Sequence, residues 1–479
     1  MNSEFSYLKN RISEYRKVEM LEYCYSKIDQ NKNKIFPIWD VLTLIKWSLI
    51  YGETKYPYKK LTPEKFNQIL SSISKLSDKH IIDFINQKKI DRAFQIIYHQ
   101  QFYLQKIVYK EIFSTQLKLF STLKWKYDIE KSFIEKTGFS IINFLQLLHF
   151  TWLYINIDKL EEEGLSFNGY LDSNYFNIAS EIADTENILI FIKLLTLNPT
   201  NIVENIKIFK NKMHNAIFQT MEISLFVMYP FAIWQNEIKL LHNKIFNHTI
   251  NYYIYDFLKN TDKNFTTEFG HRLEKYIELG LIEIKSNYKN EVELKKTLHK
   301  NSPLVDFFVE DENIFIESKA IEMNALPSVN PKDELIYNEL KSSLLKAYFK
   351  QIVPVSNSLR PNKENWGIII TYKELYWSRF NTLFEIGKDK LNNPNIKYNH
   401  IPPDNVFIID IYTWDRIIQI VKNKEVSLLT ILKNAKKNND KTETSKQLFS
   451  MHLDEYKSQS LNLKYLEQEN QMFENKEPL

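Results

Sequence analysis

From the start of the chain to about residue 257, apolar residues recur three and four apart, the spacing of a helix face. Leu42, Leu44, Ile45, Trp47 and Ile50 form one such run and stop before Gly52. Thr62-Pro63-Glu64 reads as an N-cap with proline at the first helical position, opening a helix that carries Phe66, Ile69, Leu70 and Ile73. Further helical runs cover about 90–122, 139–157, 176–196, 201–218 and 233–258, and Asn198-Pro199-Thr200 marks a turn. The pattern predicts an all-α region over 1–257, with room for two subdomains. The apolar stretches 141–157 and 223–234 are interrupted by polar residues or are too short to span a bilayer, so buried helices explain them.

After about residue 259 the texture changes. A helical segment over 265–281 is followed by short β-rich runs at 305–309, 314–321, 366–371 and 406–412. Helical runs at 335–352 and 374–385 separate the later ones. This alternation is the grammar of an α/β domain, placed at 258–430. The stretch 431–479 is rich in charge and reads as a polar tail or peripheral helix.

Composition narrows the chemistry. The 479 residues include only 8 glycines, where average usage would give roughly 34. A hairpin-rich all-β protein and a glycine-rich nucleotide loop are both disfavoured. Gly164 and Gly169 have P-loop spacing, but Tyr170-Leu171 follows instead of Lys-Ser/Thr. One cysteine, Cys24, excludes an intramolecular disulfide and a cysteine-based zinc site and fits a reducing, cytoplasmic setting. No secretory leader pattern or membrane span is expected. With 63 basic against 59 acidic residues, net charge is only +4, so any nucleic-acid surface must be local.

The segment from Ser302 to Ala320 carries the chemistry. It reads as two strands joined by the acidic turn Glu310–Asn313. Glu317 and Lys319, two apart on a strand, share a face. Their strand is otherwise apolar, and burying both charges is costly unless they pair or serve a metal. Asp306 lies 11 positions upstream of Glu317, and a hairpin folded at the acidic turn brings the two together. Two carboxylates and a lysine suit metal-assisted phosphodiester hydrolysis: oxygens hold Mg²⁺, and the lysine orients or deprotonates a water.

Asp306, followed on the next strand by Glu317-Ser318-Lys319, resembles the motif of the PD-(D/E)XK, or restriction-endonuclease-like, nuclease superfamily. The preceding helix, Phe269 to Ile277, resembles the family's glutamate-bearing helix, with Glu274 in the family position and Glu268 as its rival. The helix over 344–352 resembles the family's next helix, and Lys346, Lys350 and Gln351 are its phosphate-contact candidates. Val305 stands before Asp306, with Pro303 further back, a departure the family tolerates. The likeness covers roughly 262–425.

The resemblance implies a mainly α fold with α/β: an all-helical N-terminal region followed by a restriction-endonuclease-like α/β domain. It implies a Mg²⁺-dependent (or Mn²⁺-dependent) endonuclease on DNA, leaving a 5′-phosphate and a 3′-hydroxyl. Asp306, Glu317, Glu274 and the Ser318 carbonyl would be metal ligands, and Lys319 would activate water. The helical region would recognise substrate, sense a trigger, or assemble the protein with copies or a partner protein, as in bacterial anti-phage defence or restriction effectors. Two alternatives stand beside it. Arg92 and His99 resemble the Arg-x6-His motif of helical HEPN ribonucleases, although Ala93 follows the arginine where a polar residue is usual. The nuclease-like domain could also be a non-catalytic nucleic-acid-binding or scaffold unit. His242 and His248, six apart on a helix, do not share a face and read as ordinary histidines.

Overall fold

The computed structural model describes residues 3–29, 36–52, 58–87, 90–105, 107–156, 169–197, 216–330, 332–377, 380–391, 401–441, 443–458 and 460–474. Residues 164–168 of the P-loop-like spacing and 201–215 of one expected helix lie outside these.

The chain is mainly helical with two small mixed sheets. Helices Ile38–Tyr51 and Pro63–Asn86 form where expected, the first ending at Gly52. The second is capped by Thr62, whose hydroxyl accepts from Lys65 N at 3.3 Å. Through about residue 105 the helices build a second core around Met20, Trp47, Phe66 and Ile73, which Phe226, Ala232 and Ile245 join from further along the chain. Helices Glu111–Leu117 and Ile141–Ile155 instead share a core with the second sheet, where Phe113, Phe144 and Leu148 join Leu273, Ile316 and Ile370. The expected boundary at 257/258 falls inside the continuous helix Asn243–Thr261.

The N-terminal region is not all-helical. It holds strands β1 (Tyr170–Leu171), β2 (Thr196–Leu197), β3 (Phe231–Trp234) and β4 (Glu237–Leu240), in the order β1-β4-β3-β2. β3 and β4 form an antiparallel hairpin across stretches expected to be helical. The turn residues Gln235 and Asn236 both take positive φ, 50° and 67°, as a two-residue hairpin turn with the right twist requires. The glycine scarcity did not prevent it, because asparagine tolerates the left-handed region.

The second sheet orders β5 (Tyr288–Asn290), β6 (Phe307–Val309), β7 (Ile314–Lys319), β8 (Trp366–Thr371) and β9 (Val406–Asp410) in sequence order. The first three pair antiparallel and the last three parallel. Its side chains alternate between two cores. Phe307, Ile316, Ile368 and Phe407 pack with Leu273 and Trp414 of helices Phe265–Glu283 and Ile411–Lys422. Phe308, Phe315, Ile369 and Ile408 pack with Leu345, Tyr348 and Phe349 on the other face. Helices therefore cover both faces, as the parallel half demands.

Three expectations are revised. The helix over 335–352 is broken into Asp333–Leu340, Leu344–Lys346 and a π-helical turn Ala347–Ile352, running into Val353–Leu359. Pro354, with no N–H to donate, comes just after the wide turn. The helix expected at 374–385 begins later, as Phe380–Leu391. The stretch read as a polar tail or peripheral helix holds the helix Glu467–Glu474 and is packed down: Leu453, Leu463, Leu466 and Phe473 are buried in the main core, and buried Glu469 pairs with Lys118 Nζ at 3.1 Å. Among the described residues no single helix is long and apolar enough to cross a membrane.

Candidate active site

The β6–β7 hairpin turns through Glu310–Asn313, as the sequence suggested, with Asn313 at φ 51°. Lys289 Nζ binds Glu310 Oε1 at 2.8 Å and Arg360 Nε donates to Asn313 Oδ1 at 3.1 Å, which fix the turn. Pairing of Phe307 with Ile316 and Val309 with Ile314 sets the register. One step beyond the last pair, this register brings Asp306 opposite Glu317, and Asp306 N donates to Glu317 Oε2 at 3.3 Å. Alternation puts both on the face of Phe308 and Phe315, towards the helix that carries Gln351.

Each carboxylate is held. Ser318 N and Ser318 Oγ both donate to Asp306 Oδ2 at 2.6 Å. Glu317 is 1% exposed. Its Oε1 accepts from Lys319 Nζ and, at 2.6 Å, from Gln351 Nε2, which also donates to the Leu304 carbonyl at 3.2 Å. Burial and the nearby Asp306 charge push the Glu317 carboxyl up to about 8, against the pull of Lys319 and Gln351. Burial likewise raises Asp306, opposed by the two Ser318 hydrogen bonds. Glu274, pressed by burial and by Asp306 and Glu291, is raised to about 7.

Burial is the main cause of these raised values, and neighbouring carboxylates add to it. One oxygen from each of Glu274, Glu291 and Asp306 lies within 4.8 Å of the others. The donors are all carboxylate oxygens, which suits a hard divalent cation such as Mg²⁺ or Mn²⁺. Asp306 belongs both to this triad and to the pair with Glu317.

Glu291 was missed by sequence reasoning. It opens helix Glu291–Thr297, whose capping box joins Asn290 and Glu293. The Asn290-x-x-Glu293 pattern was the available signal for a helix start, but only the tertiary fold carries its first turn to Asp306. The rival Glu268 is elsewhere. It is buried, accepting from the backbone N–H groups of Trp125, Lys126 and Tyr127 at 2.9–3.0 Å and from Arg272 Nε at 3.0 Å. Burial raises its carboxyl, but these donors outweigh that and hold it below the ordinary range.

Ser318 was expected to offer its carbonyl; its N–H and hydroxyl are what position Asp306. Of the three candidates on the following helix, Gln351 reaches Glu317. Lys346 and Lys350 are exposed, and Lys350 Nζ turns to the Leu391 carbonyl at 3.3 Å. The π turn that begins after Lys346 adds a residue to the helical circuit and changes the direction in which the later side chains point.

Arg92 is buried, with Nη2 on the carbonyls of Pro327 at 3.2 Å and Asn330 at 2.7 Å. His99 is pushed down to about 4 by burial and by Arg92, and lines a cavity of about 60 Å³ with His248, Glu322 and Lys373. His242 caps helix Asn243–Thr261, its Nδ1 accepting from Lys244 N at 3.0 Å.

Comparison with known proteins finds no family model, no curated protein and no solved structure that matches this chain.

Proposed function

We propose that the chain is a metal-dependent endonuclease acting on DNA, with a restriction-endonuclease-like catalytic domain. The observation that carries this reading is the hairpin register that sets Asp306 opposite Glu317, with Lys319 and Gln351 on the same carboxylate. The five-stranded mixed sheet with helices on both faces supports it as the scaffold for such a motif.

Asp306 and Glu317 would hold Mg²⁺, with Glu274 and Glu291 beside Asp306 to complete or tune the set. When bound, the ion polarises the phosphate and makes a coordinated water more acidic. Ser318 fixes the direction of Asp306, and Gln351 fixes Glu317. Lys319 Nζ, tethered to Glu317 as a donor, orients the attacking water, whose proton passes to solvent. Attack on phosphorus forms the new P–O bond as the P–O3′ bond breaks, and the departing 3′ oxygen takes up a proton. The products are a 5′-phosphate and a 3′-hydroxyl. The helical region serves recognition or assembly, in keeping with a defence or restriction effector.

Incubation with supercoiled plasmid, linear duplex, single-stranded DNA and RNA in Mg²⁺, Mn²⁺ or EDTA tests this. DNA cut only when metal is present is expected. Intact DNA in every arm would overturn the reading.

A further inference from the structure

One aromatic surface near the acidic triad is not used by the chemistry above. Trp125 is 44% exposed. It sits in the segment between Thr122 and Ile129, flanked by the exposed Lys124 and Lys126. His271 stacks on the indole with centroids 4.9 Å apart and ring planes 23° from parallel. Lys275 Nζ lies 5.1 Å and Lys126 Nζ 5.8 Å from the ring centroid. His271 and Lys275 are one turn apart on helix Phe265–Glu283, so both approach from the helix side.

The segment is held in place from within. Glu268 takes the backbone N–H groups of Trp125, Lys126 and Tyr127, while Arg272 donates to the carbonyls of Leu119, Phe120 and Tyr127. A buried ion pair thus fixes the backbone under an exposed indole, and little ordering is left for a ligand to impose. His271 also links the platform to the site, its Nδ1 lying 3.9 Å from Glu274 Oε2.

A partly exposed indole with two lysine ammonium groups over the ring suits a planar group attached to an anion, and a nucleobase on its phosphate backbone is that combination. Paired bases in a duplex are already stacked, so an indole competes only for an unpaired one. We propose that Trp125 is the stacking platform for an unpaired base of the DNA strand entering the site, which makes single-stranded or locally unpaired DNA the preferred substrate. The adjacency to cleavage and the choice of DNA rest on the nuclease reading above; the stacking of an unpaired base does not.

The test is fluorescence anisotropy of labelled DNA, single-stranded and duplex, with the full chain in EDTA so that nothing is cut. The parent should bind the single strand more tightly than the duplex. Trp125→Ala should weaken single-strand binding about 5- to 150-fold, the worth of one stacked base, with little effect on the duplex. Trp125→Phe should restore most of it. Unchanged thermal unfolding of Trp125→Ala would confirm that the exposed side chain, and not the fold, was removed. Parental single-strand affinity in Trp125→Ala, equal losses on both DNA forms, or equally Trp125-dependent binding of RNA would overturn the proposal. Glu317→Ala separates the two readings. If it stops cutting but Trp125→Ala binds as the parent does, the platform fails and the nuclease stands. If Trp125-dependent binding appears without any cleavage, the nuclease reading fails and the platform stands.

Discussion

Gln351 Nε2 lies 2.6 Å from Glu317 Oε1, reaching across from a π-helical turn to a strand carboxylate. Glu317 is buried and its carboxyl is raised to about 8, so its ionised form depends on such donors. Gln351→Ala is expected to keep the fold and to lower metal-dependent cleavage or apparent metal affinity about 10- to 100-fold, the usual effect of removing a group that orients a ligand. Cleavage rates across a Mg²⁺ titration check this.

Glu268 supports the structure without joining the site. Its loss leaves Arg272 buried without its ion-pair partner, together with three backbone N–H groups. Glu268→Ala should destabilise the protein by about 3–5 kcal/mol, read by denaturant unfolding.

Asp415 gives the fold a pH dependence. Its carboxylate is buried and accepts from Tyr276 at 2.9 Å, Thr115 at 3.2 Å and Tyr465 at 2.8 Å, joining three parts of the chain. Burial raises its carboxyl from 3.8 to about 7, against these hydrogen bonds and with a smaller contribution from Asp410. Between those values the folded state holds more protons than the unfolded state, so the contribution of Asp415 to stability falls as pH rises from about 4 to 7. The melting temperature of the parent minus that of Asp415→Asn should therefore fall from pH 5 to pH 8. A difference that rises contradicts this assignment.

Arg92 tests the helical ribonuclease alternative. Arg92→Ala leaves the carbonyls of Pro327 and Asn330 without their donor and should cost about 1–3 kcal/mol of stability. Cleavage of DNA at a temperature where the variant is folded should match the parent.

Local signals in the chain made the hairpin of the site legible. Apolar alternation, the acidic turn and the Glu317-x-Lys319 spacing all lie within one short segment, and the register comes from them. The Thr62 cap and Gly52 stop are equally local. The β3–β4 hairpin was missed because four-residue strands beside an Asn-containing turn lack an alternation long enough to separate them from a helix. Glu291, and the contact of the candidate Gln351 with Glu317, escaped for another reason. Glu291 is placed by packing between elements, and the role of Gln351 depends on a π turn that no periodicity announces. The burial of Phe473 and Glu469 in a charge-rich tail is likewise set by partners, Phe113 and Lys118, that lie far away near the first quarter of the chain.

The central claim, that Asp306, Glu317 and Lys319 form a metal-dependent phosphodiester site, is tested most directly by comparing the parent with Glu317→Ala and Lys319→Ala on plasmid DNA in Mg²⁺, after circular dichroism has shown all three folded. The predicted result is metal-dependent cutting by the parent and a loss of at least about 100-fold in both variants, as expected when a group acting on the reacting atoms is removed. Cutting by both variants at the parental rate would contradict it.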